Sequence, residues 1–279
     1  CMSLPEDETT VTGLVARAID FGINYFDTAD IYQQGANEEN LGKALKGRRD
    51  DVILASKVGN VCRADGSGLD WNPSPAHITS SVENTLRRLQ TDYLDLYQLH
   101  GGTIDDPIDD TIEAFEKLAE QGKIRYYGIS SIRPNVIREW VHRSNMVSVM
   151  MQYSLLDRRP EAAMLDLLSE HNIGVLARGS VASGLLLGKP VKKYLDRSED
   201  QVSHASRAVK QVSNRVRNAA QTSVRFVLEH PAITSAVVGI RTGEQLEEIS
   251  GLPKSPKLTE QEVRILGDAS PENFYSDHL

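Results

Sequence analysis

Ser74-Pro-Ala-His-Ile-Thr-Ser-Ser-Val-Glu-Asn-Thr-Leu-Arg-Arg-Leu-Gln-Thr-Asp-Tyr-Leu-Asp-Leu-Tyr-Gln-Leu-His100 changes its apolar period partway along. In its first part Ile78, Val82, Leu86 and Leu89 recur at i, i+4, i+8 and i+11, which is one face of an α-helix. Ser74 is placed to cap that helix and Pro75 falls in its first turn. Tyr93-Leu94-Asp95-Leu96-Tyr97 then gives a short run rich in aromatic residues, as a buried strand should. A helix that passes straight into a strand is the unit of an α/β protein, and the same handover recurs in both directions along the chain.

The other short apolar runs are Asn24-Tyr25-Phe26, Val52-Ile53-Leu54-Ala55, Ile124-Arg125-Tyr126-Tyr127, Val147 to Met151, Gly174-Val175-Leu176 and Ala236-Val237-Val238. Helical stripes lie between them. Ile112, Phe115 and Leu118 stop at Gln121-Gly122, a glycine stop signal. Pro134 opens a helix with Val136, Ile137, Trp140 and Val141 on its apolar face. Met164, Leu165, Leu167 and Leu168 mark another, and Val224, Phe226, Val227 and Leu228 precede His230-Pro231. Thr259-x-x-Glu262 has capping-box form before Val263, Ile265 and Leu266.

Alternating strands and helices imply parallel pairing through right-handed crossovers. A doubly wound sheet would carry a glycine-rich phosphate turn after its first strand, and neither G-x-G-x-x-G nor G-x-x-x-x-G-K-[ST] occurs. Seven strand–helix units and a strand remnant at Cys1–Leu4 make eight, the count of a single-domain (β/α)8 TIM barrel over residues 1–279 with a C-terminal helix. Cys1-Met2-Ser3-Leu4 is read as the end of a first strand whose body, with a preceding hairpin, is largely missing. The stretch from Gly188 to Asn214 is charged and serine-rich, and is expected to be an irregular functional loop.

Composition narrows the function. The 279 residues include 31 basic and 39 acidic ones, a net charge of −8, with 40% hydrophobic residues. That is an ordinary globular balance, and the acidic excess argues against a nucleic-acid partner. Two cysteines, Cys1 and Cys62, cannot build a disulfide framework, so a reducing cytoplasm is expected. No apolar run reaches the roughly 18 residues of a membrane span. No heptad seam marks an oligomer, and a monomer is expected.

In a parallel barrel the chemistry collects where strands end. The residues that close the runs are Asp27, Lys57, His100, Ser130-Ser131, Gln152, Arg178 and, after Gly239-Ile240, Arg241. Each alone has a plain structural explanation: a turn cap, a loop lysine, a packed histidine. Together with Tyr32, five residues past Asp27, they suit carbonyl reduction. A free tyrosine has a pKa near 10 and is a reluctant acid. An ammonium about 4 Å away at an effective dielectric near 20 favours the phenolate by at most ~4 kcal/mol. Lys57 can do this for Tyr32, with Asp27 holding Lys57 and His100 orienting the substrate oxygen. No side chain supplies hydride, so a nicotinamide cofactor is required.

At Asp27-Thr-Ala-Asp-Ile-Tyr32, Ala55-Ser56-Lys57, Leu94 to His100, Gly122 to Ser130, Gln152-Tyr153-Ser154 and Gly184-Leu185-Leu186 the sequence resembles the aldo-keto reductases, in order along nearly the whole chain. The resemblance implies a barrel that binds NADPH/NADP+ in extended form and reduces small aldehydes and ketones. It implies a tetrad of Asp27, Tyr32, Lys57 and His100, with Tyr32 the proton donor. Asp27, Ser130, Ser131 and Gln152 fall at cofactor positions, the last three at the carboxamide, although the family usually has Asn at Ser131. Arg178 stands where many members stack an aromatic ring on the nicotinamide. Gly179, Ser180, Gly184, Leu185 and Lys189 fall at the pyrophosphate loop. Gly239, Arg241, Gln245 and Glu248 fall at the adenosine-phosphate segment, with Arg241 at the 2′-phosphate, and Ile249 replaces a usual Asn. Met2 falls near the cofactor end of the family's first strand, where its side chain would touch the nicotinamide or substrate, with core packing the equal alternative. A cofactor-binding regulatory or redox-sensing barrel is the alternative. A Schiff-base aldolase on Lys57 is disfavoured because Asp27 would raise the lysine's pKa, and no metal-ligand spacing is present.

Overall fold

The computed structural model describes residues 7–63 and 65–279. The chain divides into two compact units, one of residues 1–149 and 241–243, the other of residues 150–240 and 244–279. The remnant at Cys1–Leu4 and the Met2 position therefore lie outside the described residues.

In the first unit, α1 (Glu8–Asp20) leads into β1 (Tyr25–Asp27), α2 (Ala36–Ala44) and β2 (Ile53–Val58). A hairpin of β3 (Asn60–Cys62) and β4 (Leu69–Trp71) follows, then α3 (Pro75–Leu89), β5 (Leu94–Leu99), α4 (Ile108–Glu120), β6 (Ile124–Ser130) and α5 (Pro134–Arg143). The order β1-β2-β5-β6 is parallel throughout, with Asp27 beside Ala55, Lys57 beside Gln98 and Leu99 beside Ile129. All six residues of β5 are buried, the pattern of a strand covered on both faces.

The helix expected at Ile78–Leu89 is α3, capped by Ser74 Oγ, which accepts from His77 N at 3.4 Å, with Pro75 in its first turn. Phe115 of α4 anchors the core, its ring 5.6 Å from Tyr97, 5.7 Å from Tyr127 and 6.3 Å from Trp140. Beneath the sheet, Asp95 accepts from the Leu54 N–H at 2.9 Å and pairs with Arg49 and Arg125, whose guanidinium groups flank the Tyr93 ring at 4.1 and 4.2 Å.

β7 (Ser148–Gln152) carries the chain into the second unit, where β8 (Gly174–Arg178) pairs in parallel with β9 (Ile233–Val237). Its helices are α6 (Arg159–Ala163), α7 (Leu165–Glu170), α8 (Glu199–Val212), α9 (Ala219–Leu228) and α11 (Glu260–Ala269), and α10 spans Gly243–Ser250. Leu155, Leu185, Leu186, Val202, Val209, Phe226 and Leu266 belong to one buried cluster. The capping box at Thr259 and Glu262 forms as the sequence predicts.

Two expectations need correction, and one element goes beyond the sequence reading. The stretch from Gly188 to Asn214 is not irregular: α8 fills half of it, begun by a capping box of Ser198 and Gln201. Val202, Ala205, Val209 and Val212 make its buried stripe, apolar enough to pack and too small to stand out against the charges around them. The last strand starts at Ile233, three residues before the apolar run, because backbone pairing with Val175 and Leu176 tolerates the polar Thr234 and Ser235. The β3–β4 hairpin was not anticipated. Its connection is long and polar, and its strands have three residues each.

Candidate functional site

The first unit assembles the four tetrad candidates. Asp27 is the last residue of β1, Lys57 lies near the end of β2, and His100 follows β5 directly, so all three come from the C-terminal ends of adjoining parallel strands. Tyr32 opens a short 3-10 turn after β1. The Lys57 side chain is 1% exposed and its ammonium donates to Asp27 Oδ2 and, at 2.8 Å, to the Thr28 carbonyl. It lies 5.2 Å from the centre of the Tyr32 ring. The Tyr32 and His100 rings meet edge to face, 5.8 Å apart. The turn carrying Tyr32 is held from behind: Thr28 Oγ1 donates to Asn37 Oδ1 at 2.8 Å, and Asn37 Nδ2 donates to Gln33 Oε1 at 3.2 Å.

Several neighbours escaped the sequence reading. Gln98, fully buried, donates to Asp27 Oδ1 at 3.4 Å. Its signal was available, since it lies two residues before His100 and therefore on the same face of the strand. Asn60 donates to the His100 carbonyl at 2.7 Å. Glu38, fully buried, accepts from Ser56 Oγ at 2.5 Å and pairs with Arg88 at 2.6 Å, tying α2, β2 and α3 behind Lys57. Asp30 has a buried carboxylate oxygen with no hydrogen-bond partner. Burial first, and the Glu38 carboxylate next, push its carboxyl up to about 7, opposed by Arg88 and Lys57.

The hairpin after Lys57 brings Trp71 beside the same strand ends. A Cβ on Gly59 would sit 2.7 Å from the Trp71 ring, so only glycine, here at φ +124°, lets the indole lie so close. Trp71 Nε1 donates to Asp106 Oδ1 at 2.9 Å.

Ser130 ends β6, and both it and Ser131 are buried; Ser131 Oγ accepts from the Arg133 N–H at 3.2 Å. In the second unit, Gln152 ends β7 and Arg178 ends β8, and the Arg178 guanidinium donates to Gln152 Oε1 at 3.1 Å. Past Arg178, Gly179 has φ +76° and the Ser180 hydroxyl is buried without a hydrogen-bond partner. Gly184 sits at φ +89° with the Lys189 side chain folded over it, where a Cβ would stand 2.7 Å from Cε. Lys189 donates to the Ser183 carbonyl at 3.1 Å. The Leu185 side chain points into the buried cluster, so this residue offers a ligand only its backbone.

Gly239, Arg241, Gln245 and Glu248 are exposed, the last two on α10. The Glu248 carbonyl accepts from Asn218 at 2.8 Å and Gln221 at 2.9 Å, which fixes the last turn of that helix. Ile249 is buried, an apolar residue spent on packing.

A sequence profile of the Aldo/keto reductase family matches residues 3–270. An uncharacterized oxidoreductase of Bacillus subtilis strain 168, YqkF, is 47% identical over 287 residues, covering 100% of this chain and 93% of the relative. The holo form of the aldo-keto reductase AKR11C1 from Bacillus halodurans superimposes with a TM-score of 0.92 at 46% identity, covering 100% of this chain and 93% of the other. An aldo/keto reductase from Klebsiella pneumoniae, solved in complex with NADP and acetate, gives 0.78 at 28% identity, covering 98% and 89%. The fold class is the (β/α)8 barrel. This chain belongs to the aldo/keto reductase family.

Proposed function

We propose that this protein is an NADPH-dependent reductase of small aldehydes and ketones. The observation that carries the reading is the buried Lys57 ammonium, clamped by Asp27 and the Thr28 carbonyl and 5.2 Å from the Tyr32 ring. A fixed positive charge beside a phenol favours loss of its proton, which is what a tyrosine acting as an acid needs near neutral pH.

Local features fit the cofactor. A buried serine hydroxyl without a partner at Ser180 and a lysine folded over Gly184 suit a phosphate, which accepts from both. On this reading Asp27, Ser130, Ser131, Gln152 and Arg178 serve the nicotinamide end, with Gly179, Ser180, Gly184, Leu185 and Lys189 at the pyrophosphate. Gly239, Arg241, Gln245 and Glu248 serve the adenosine end. When bound, NADPH supplies a hydride to the carbonyl carbon.

The chain's residues do the rest. His100 donates a hydrogen bond to the carbonyl oxygen and places it against the Tyr32 hydroxyl. Tyr32 gives that oxygen its proton as the carbon–oxygen π bond breaks, so the product is a neutral alcohol and the enzyme holds a tyrosinate. Lys57 stabilises the tyrosinate until solvent returns the proton. The exposed thiol of Cys62 suits a reducing compartment such as the cytoplasm.

The test is NADPH consumption, followed at the nicotinamide absorbance, with 4-nitrobenzaldehyde as substrate. Tyr32→Phe is expected to lose the rate and keep NADPH affinity. Normal turnover by that variant would overturn the assignment of Tyr32 as the acid.

A further inference from the structure

Arg178 decides which way the Gln152 amide faces. A guanidinium has donors and no acceptor, so the Gln152 atom 3.1 Å from its Nη1 is the carbonyl oxygen. The amide nitrogen is thereby turned to the opposite side, where it donates to the Tyr194 hydroxyl oxygen at 3.2 Å. An amide has two lone pairs and two N–H groups. One of each is spent, and one of each is left.

We propose that Tyr194 is a positioning residue for cofactor binding: with Arg178 it locks the Gln152 side chain so that its remaining lone pair and N–H are offered together to a carboxamide. This deepens the reading of the previous subsection and rests on it. A carboxamide presents one acceptor and one donor side by side, so an amide held in a single orientation meets it with two matched hydrogen bonds. An amide without these two partners would have to be ordered on binding and would lack the hydrogen bond that holds it in place.

Tyr194 is itself well fixed. Its N–H and carbonyl exchange hydrogen bonds with Arg197 at 3.1 and 2.9 Å, closing a tight turn in which Leu195 takes φ +54°. Its ring packs against the buried cluster of this unit. Arg197, 5% exposed, donates to the Pro271 carbonyl, and Asn273 donates to Asp196 Oδ1 at 3.0 Å while accepting from the Arg158 N–H at 2.8 Å. The segment around Asn273 thus clasps the turn that carries Tyr194. Burial and the Asp157 carboxylate raise the Tyr194 hydroxyl's pKa, against Arg178, so it stays a neutral hydroxyl that can accept from Gln152. Gly179, next to Arg178, takes φ +76°, and a Cβ there would lie in ordinary contact with Gln152 Cγ at 3.4 Å.

The experiment compares two ligands. NADPH carries the carboxamide, and 2′,5′-ADP carries the same phosphates and adenosine without it. Tyr194→Phe keeps the ring and removes the oxygen. Its NADPH dissociation constant is expected to rise about three- to tenfold, the loss of one net hydrogen bond, with 2′,5′-ADP affinity unchanged. In a Gln152→Ala background the same substitution should have no further effect. Unchanged NADPH affinity in Tyr194→Phe would overturn the proposal. So would an equal loss for 2′,5′-ADP, which marks a general structural role, or an additive loss in the Gln152→Ala background. If the unsubstituted protein binds 2′,5′-ADP and not NADPH, the proposed function fails on its own account.

Discussion

Gln98 and Lys57 share Asp27 between them, the amide donating to Oδ1 at 3.4 Å and the ammonium to Oδ2. The two donors sit directly opposite each other in the β2–β5 register. The carboxylate that fixes the lysine is therefore itself fixed, by a residue fully removed from solvent.

Replacing Gln98 by leucine should remove one donor from Asp27 and loosen the Lys57 clamp. We expect kcat for aldehyde reduction to fall about five- to thirtyfold, about 1–2 kcal/mol for the lost bond, with the NADPH dissociation constant little changed. Steady-state kinetics with a cofactor titration separate the two, and an unchanged kcat would remove Gln98 from the site.

Asp30 makes stability depend on pH. Its carboxyl is held up at about 7 in the fold, against an ordinary 3.8 when unfolded. Between about pH 4 and 7 the native state keeps a proton that the unfolded chain has released, so stability falls as pH rises through that window and levels off above it. Asp30→Asn removes this contribution. The variant should be more stable than the parent above pH 7, by about 2–4 kcal/mol, with a flatter profile between pH 4 and 7. Denaturant titrations at pH 5 and 8 measure both.

Glu38 is the reverse case. It is a buried carboxylate with two good partners, and removing it strands Arg88 and Ser56. Glu38→Ala should cost about 3–5 kcal/mol, the loss seen when one member of a buried pair is deleted. Urea unfolding is the measurement, and a loss below 1 kcal/mol would show that Arg88 finds water instead.

Gly59→Ala should displace Trp71, because the new methyl would meet the indole and the backbone there has φ +124°. The expected loss is about 1–3 kcal/mol for backbone strain. Tryptophan emission should move to the red as the ring becomes wetter, and an unchanged spectrum would show that the hairpin yields without moving the indole.

The strand ends were legible because chemistry at a barrel mouth needs unlike polar groups, and such groups stand out against apolar runs. Asp27, Lys57, His100, Ser130, Gln152 and Arg178 were picked out this way, and each lies at or beside the C-terminal end of a strand. What could not be read was the supporting layer. Asp30, Glu38 and Arg88 meet from a loop and two helices, and nothing in their spacing along the chain announces the meeting. Helix α8 was missed for a different reason. Its buried face is built from alanine and valine, which carry little apolar weight in a serine-rich stretch, although the Ser198–Gln201 box was there to be read.

The clasp of Arg197 and Asn273 on the Tyr194 turn has a consequence for variation among related chains. Exchanges at Asn273 would remove its side-chain bond to Asp196 and its acceptor for the Arg158 N–H, and so loosen the turn that, on the proposal above, orients the Gln152 amide. Sequence drift in that short segment could then tune how tightly nicotinamide is gripped while every residue at the mouth stays the same.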